Sequence, residues 1–465
     1  MTITLPRVQP GAGSATPTLS GGVRTARILL WLAVMLPFIY TTSKTAAELS
    51  GGGSLGALEV LRGGGPFVLW GLSILAAPVR RRGFGAPDVL LALYALVIVM
   101  SASNPLNPNS QASLLKSITL ISVILAMWRL VRLYDHPREL VVALVGWVHV
   151  VLIAGAVQIL VFKSTVYAAG ATSTDGLARL NLVVPSVSAN PLAFVGVAGI
   201  LSCALGVGPR WLHLNVFVRN ALMGLYVYEI FLTRTRSALG VGLVIVAVSL
   251  VVRARRHPLS TITTAVVFIG GAVALMPSLL PQLHTFLQRG QTTASIDSLS
   301  GRTVIWDAAY RVWQQHQTLG LGYYSGHRLG IPGLQQDQSN IDNTWLETLV
   351  DVGLVGIVPL ALFTLVGVWR LARSKLLSGD IRLWGVGIAV YVVAISFINP
   401  TIQQPGAPQV VLTLLILSVT PRPHAEREQN ADDLLSAQPW LTSPAHSDLQ
   451  PAAVAGRAVL AQRDE

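Results

Sequence analysis

Two arginines and an aspartate stand in three short polar islands of an otherwise apolar sequence. The first island is Thr233-Arg234-Thr235-Arg236-Ser237. The second opens Ser300-Gly301-Arg302, reaches Asp307, and is followed by Gly320-Leu321-Gly322. The third is Asp342-Asn343-Thr344-Trp345-Leu346-Glu347, ahead of Val352-Gly353-Leu354-Val355-Gly356. A guanidinium stays charged and offers a planar fork of donors that grips phosphate oxygens in pairs. Arg302 falls where a helix should begin, and free N–H groups there add to the same anion. Arg236 and Arg302 together suit a diphosphate, held in place and stabilised as its charge grows on departure. Asp342 is the acid–base candidate, able to take the proton of an attacking hydroxyl. Plainer readings stay open: Arg236 snorkelling to lipid phosphates, Arg302 ending a loop helix, and Asp342 capping the helix that follows.

Other polar groups are less informative. Glu229 lies seven residues before Arg236, on what should be the same helical face, where it would orient that arginine. A charge inside an apolar run is a functional candidate, and an interior structural pair is equally open. His149 reads as a satisfied bundle histidine. Cys203, the only cysteine, reads as a small buried residue. No metal-ligand spacing, phosphate-cradling loop or Ser-His-Asp arrangement is present, so no cofactor and no metal are expected.

The elements that must position these islands follow from composition. Of 465 residues, 52% are hydrophobic and 12% charged, about half the charge of a soluble domain, and the mean hydropathy is +0.59. Apolar runs long enough to cross about 30 Å of hydrocarbon fall near 28–43, 66–79, 86–103, 112–128, 140–163, 186–207, 214–232, 237–252, 260–281, 349–369, 382–399 and 406–420. The fold expected is an all-α polytopic membrane protein of about twelve transmembrane helices. A polar N-terminus (1–25) and a polar tail (421–465) read as disordered and cytoplasmic. Helices 1–9 occupy 26–281, a large periplasmic loop 282–345, and helices 10–12 residues 346–420.

The net charge of +12 gathers in alternate loops: Arg80 to Arg82; Arg129, Arg132 and Arg138; Arg210; Arg253, Arg255 and Arg256; Arg370, Arg373 and Lys375. The positive-inside rule makes these loops cytoplasmic and puts both termini with them. Nucleic acid is not indicated as a partner, because basic stripes with interleaved aromatics are absent. The three islands then share the outer side. A loop as long as 282–345 is uncommon unless functional. Within it, Trp306, Ala309, Tyr310 and Trp313 mark an amphipathic helix over 301–316.

With these residues in place, the chain resembles the O-antigen ligase/polymerase (Wzy-C-type) superfamily over residues 175–360. The likeness runs through Thr233-Arg234-Thr235-Arg236, Gly301-Arg302 with Trp306, Gly320 and Gly322, Asp342-Asn343-Thr344-Trp345-Leu346, and Gly353-Leu354-Val355-Gly356. Arg179 and Ala189-Asn190-Pro191-Leu192-Ala193 resemble an earlier family element. The resemblance implies that Arg236 and Arg302 engage the diphosphate of an undecaprenyl-diphosphate-linked glycan donor. Arg234, Glu229, Arg179 and Asn343 support them, and the residue at 342 lies near the acceptor glycan. Ligases carry histidine there, so Asp342 points towards the O-antigen and exopolysaccharide polymerases. The expected reaction is an inverting, metal-independent glycosyl transfer at the periplasmic face of the inner membrane, among membrane lipids, with a flippase and a chain-length regulator as possible partners. An O-antigen ligase acting on lipid A core or another acceptor is the nearest alternative. A transporter or flippase of lipid-linked glycans is a second, although transporters tend to place charge at the midplane of repeated halves.

Overall fold

The computed structural model describes residues 20–39, 57–78, 84–107, 110–162, 179–183, 186–209, 211, 215–258, 261–266, 302–325, 341–399, 401–402 and 406–420. A large unit, Met1–Arg80 with Ala86–Val419, holds every helix named below. A small unit, Arg81–Gly85 with Thr420–Glu465, lies almost wholly outside the described residues.

The helices are α1 (Gly21–Ile39), α2 (Ala57–Ala76), α3 (Ala86–Ala102), α4 (Ser110–Leu133), α5 (Pro137–Val161), α6 (Ala189–Leu205), α7 (Val216–Thr233), α8 (Arg236–Ala254), α9 (Arg302–Gln315), α10 (Thr344–Arg373), α11 (Gly379–Ile395) and α12 (Ala407–Ser418). Eleven of them coincide with expected apolar runs, and α9 with the expected amphipathic helix. Only residues 261–266 of the run at 260–281 are described, and they are helical. Most of the loop expected at 282–345, and the whole tail from 421, lie outside the described residues. A two-residue antiparallel ladder pairs β1 (Leu182–Val183) with β2 (Ser186–Val187), with Leu182 opposite Val187.

These segments become helices because they are apolar all round, with few breakers inside. A helix apolar on every face is either buried in protein or immersed in lipid. On α8, Ala238, Ile245 and Val246 are buried, while Val244, Val248 and Val251 are about 60% exposed. On α5, Leu144, Val148 and Leu152 face inward while Val150, Val157 and Leu160 face out. Such exposed apolar faces suit hydrocarbon and not water. Among the described residues, five helices, within α4, α5, α7, α8 and α10, are long and apolar enough to cross a membrane. The protein is an all-α membrane protein.

Inside the bundle, Trp384 of α11 donates to Ala198 O of α6 at 3.1 Å. His149 sits between Tyr226 Oη at 2.6 Å and Ser202 Oγ at 3.0 Å, as a satisfied bundle histidine should. Cys203 is buried and free.

Candidate functional site

The first island is a break between two helices. Helix α7 ends at Thr233, Arg234 takes a left-handed conformation (φ 54°), and α8 starts at Arg236. Thr233 Oγ1 turns back onto Ile230 O at 2.6 Å. Arg179, just before β1, closes the break from outside. Its Nε donates to Thr233 O at 3.0 Å, and its Nη2 reaches Asn190 Oδ1 (2.8 Å) and Thr235 Oγ1 (3.0 Å). Thr235 in turn donates to Asn190 Oδ1 at 3.2 Å. Arg236 is half-buried at the first position of α8.

The other two islands meet directly. Arg302, the first residue of α9, pairs with Asp342 Oδ2 at 3.1 Å, and both side chains are about one-third exposed. Trp306 Nε1 donates to Ile341 O at 2.7 Å. Ile305, Ala309, Ile341 and Val350 form a small apolar cluster beneath. Asn343 caps α10, its Oδ1 accepting from Trp345 N (3.0 Å) and Leu346 N (3.1 Å).

A polar path joins the two halves. Thr344 Oγ1 donates to Asn399 O at 2.9 Å, and Asn190 Nδ2 donates to Asn399 Oδ1 at 3.2 Å. Asn399 follows α11, so the starts of α6, α8 and α10 and the end of α11 gather at one end of the bundle. Among the described residues, Arg234, Tyr324 and Asp342 are the non-glycine residues with positive φ, and all three lie here. Such conformations are unfavourable unless the surroundings enforce them, and they cluster at binding and catalytic sites.

The stretch after α9 is sewn into α10. Gly353 (φ 62°, ψ −161°) interrupts that helix. Leu321 N and Gly322 N donate to Val350 O (2.8 Å) and Asp351 O (2.9 Å). On the far side, Leu354 N and Val355 N donate to Gln317 O (2.9 Å) and Thr318 O (3.2 Å). A side chain at 353 would collide with the Thr318 carbonyl, and one at Gly320 with the Asp351 backbone. Asp351, fully buried, accepts from Tyr324 N (2.9 Å) and Ser325 Oγ (3.2 Å). Burial pushes the neighbouring Tyr323 phenol well above its usual range, with Tyr94, Asp351 and Glu347 adding to the shift.

The sequence expectation for Glu229 needs correcting. It does not share a helix with Arg236, because the chain turns at Arg234. Its carboxylate is buried and neither oxygen has a hydrogen-bond partner. It faces Gly155 and Leu182. Asn399 and Thr344 received no role from the sequence. The only signal was a lone Asn-Pro-Thr (399–401) ending an apolar run.

A helical membrane bundle that brings Arg179, Arg236, Arg302 and the described non-glycine residues of positive φ to one end defines a polytopic membrane protein with a polar site at that end. Residues 221–361 match the family model described as O-antigen ligase, a stretch that includes Arg236, Arg302 and Asp342 but not Arg179 or Asn399. Over this stretch, somewhat under a third of its length, the chain is similar to the O-antigen ligase family. No curated protein matches the chain.

Proposed function

We propose that the protein is a metal-independent glycan polymerase of the inner membrane, working at the periplasmic face with both termini cytoplasmic and twelve crossings. The donor is an undecaprenyl-diphosphate-linked oligosaccharide, and the acceptor is a hydroxyl of a second glycan. The observation that carries this reading is the Arg302–Asp342 pair at the starts of α9 and α10, joined by the Asn399 path to the break that holds Arg236. Arg236 and Arg302 each open a helix, where the helix dipole favours an anion.

The diphosphate draws Arg302 away from Asp342 and also binds Arg236. Asp342, released, turns to the acceptor hydroxyl and takes its proton as the oxygen attacks the anomeric carbon. The bond from that carbon to the diphosphate oxygen breaks, with inversion. The arginines hold the charge that the departing undecaprenyl diphosphate gains. Arg179 acts on this site by keeping Thr233, Thr235 and Asn190 in place. The unusual charge lies at one end of an asymmetric bundle, which counts against the transporter alternative.

A ligase is favoured by one observation, the description of the matching family. Glycan length on gels separates the readings, in a deletion strain complemented with wild type, Arg236→Ala, Arg302→Ala or Asp342→Ala at matched membrane expression. Single repeat units left on lipid in the deletion strain, rescued by wild type and not by the variants, support the polymerase. Full-length polymer left on undecaprenyl diphosphate means a ligase. Normal glycan from every variant overturns the site.

A further inference from the structure

At the opposite end of the bundle a cavity opens between the end of α8, the end of α10 and the start of α11. Its volume is about 220 Å³, and Arg253, Arg256, Asp380 and Arg382 are its charged lining. A drug-sized ligand usually needs about 300 Å³ or more, so the space suits a small group. Three guanidiniums face one carboxylate. Asp380 Oδ2 lies 3.9 Å from His257 Nε2, at the rim. Arg253 is 93% buried. It donates through Nη1 to Ala204 O, and its Nε has no hydrogen-bond partner. Arg382 spends Nη1 on Ser374 O at 3.0 Å. The Arg256 guanidinium occupies the space that a side chain at Gly379 would fill. Helix α11 begins there, and its cap residue Ser378 makes no side-chain hydrogen bond to the free N–H groups. A buried donor left unmatched is costly. Here it sits among further cations and helix-start donors, the combination that recognises phosphate.

We propose that this cavity binds a phosphate group, either on an anionic lipid headgroup or free in solution. Basic pockets between membrane helices hold lipid phosphates in this way. The site needs no catalytic turnover to be read, so it stands or falls apart from the transfer reaction.

The experiment is thermal stability of the purified full chain in neutral detergent, titrated with phosphatidylglycerol, phosphatidylcholine or inorganic phosphate. Phosphatidylglycerol should stabilise the wild type where phosphatidylcholine does not. Arg256→Gln/Arg382→Gln should need about tenfold more for the same effect, as the loss of charge-assisted bonds implies. Asp380→Asn should need less than wild type. Arg255→Gln removes the same charge next to the cavity without lining it, and should behave as wild type. Stabilisation by inorganic phosphate with the same pattern of variants identifies the free ion as the ligand. Equal responses from wild type and the double variant, or equal weakening by Arg255→Gln, would overturn the proposal. If the double variant does not fold, Arg256→Gln alone, at an exposed position, carries the test together with Asp380→Asn.

Discussion

The two ends of the bundle use arginine differently. At the basic end, each guanidinium is fastened by a backbone carbonyl, with Arg27 and Arg132 also 3.7 and 3.5 Å from Glu139 and Asp88 and Arg129 Nε donating to Ser73 Oγ. Arg27 donates to Leu133 O, Arg129 to Ser73 O and Ala77 O, Arg132 to Trp128 O, Arg253 to Ala204 O and Arg382 to Ser374 O. At the site end, Arg302 holds a carboxylate, and Arg179 spans an amide oxygen and a hydroxyl as well as one carbonyl. A carbonyl at a helix terminus has nowhere to go, and a cation there also complements the helix dipole. A side-chain partner can rotate away when a stronger anion arrives. The first arrangement fastens the bundle, and the second is suited to exchange.

Substitutions can break that contrast. Arg302→Ala and Arg236→Ala should each lower glycan transfer about a hundredfold or more, read as product per molecule of protein at unchanged membrane abundance. Arg129→Ala should do the reverse, costing about 3 kcal/mol of stability through lost charged hydrogen bonds. It should show as reduced abundance and earlier thermal aggregation with transfer per molecule retained. Gly353→Ala forces a side chain into a left-handed position and should cost about 2 kcal/mol or more, seen as a lower melting midpoint. Asn399→Ala cuts the link to Asn190, worth about 1 kcal/mol, and should slow transfer severalfold at near-normal abundance. Glu229→Gln should leave transfer unchanged, since its carboxylate has no bond to Arg236; a large loss would restore a role for it.

The helices were legible because each is a long apolar run, a signal that survives any packing. Helix α9 was legible from the spacing of Trp306, Ala309, Tyr310 and Trp313, and spans 302–315 against the expected 301–316. The pairing of Arg302 with Asp342 was not, because forty residues separate them and only tertiary packing closes the gap. The error at Glu229 has a local cause. Counting seven residues along one helix presumes an unbroken helix, and Arg234 breaks it. Gly320, Gly322 and Gly353 stood out as a pattern, but their purpose depends on backbone bonds between segments thirty residues apart, which no side-chain pattern encodes. Asn399 escaped notice because one amide at the end of an apolar run looks like any other helix end.

The interruption at Gly353 also bears on how relatives of this protein can diverge. Six hydrogen bonds, from Leu321, Gly322, Leu354, Val355, Tyr324 and Ser325, tie residues 317–325 to the two halves of α10. Insertions and deletions between 326 and 340 leave the spacing of all six intact, whereas a residue added between 317 and 325 shifts the bonds on one side of it out of register with those on the other. Lineages with new acceptors should therefore vary in length on one side of this seam and hold a fixed count on the other.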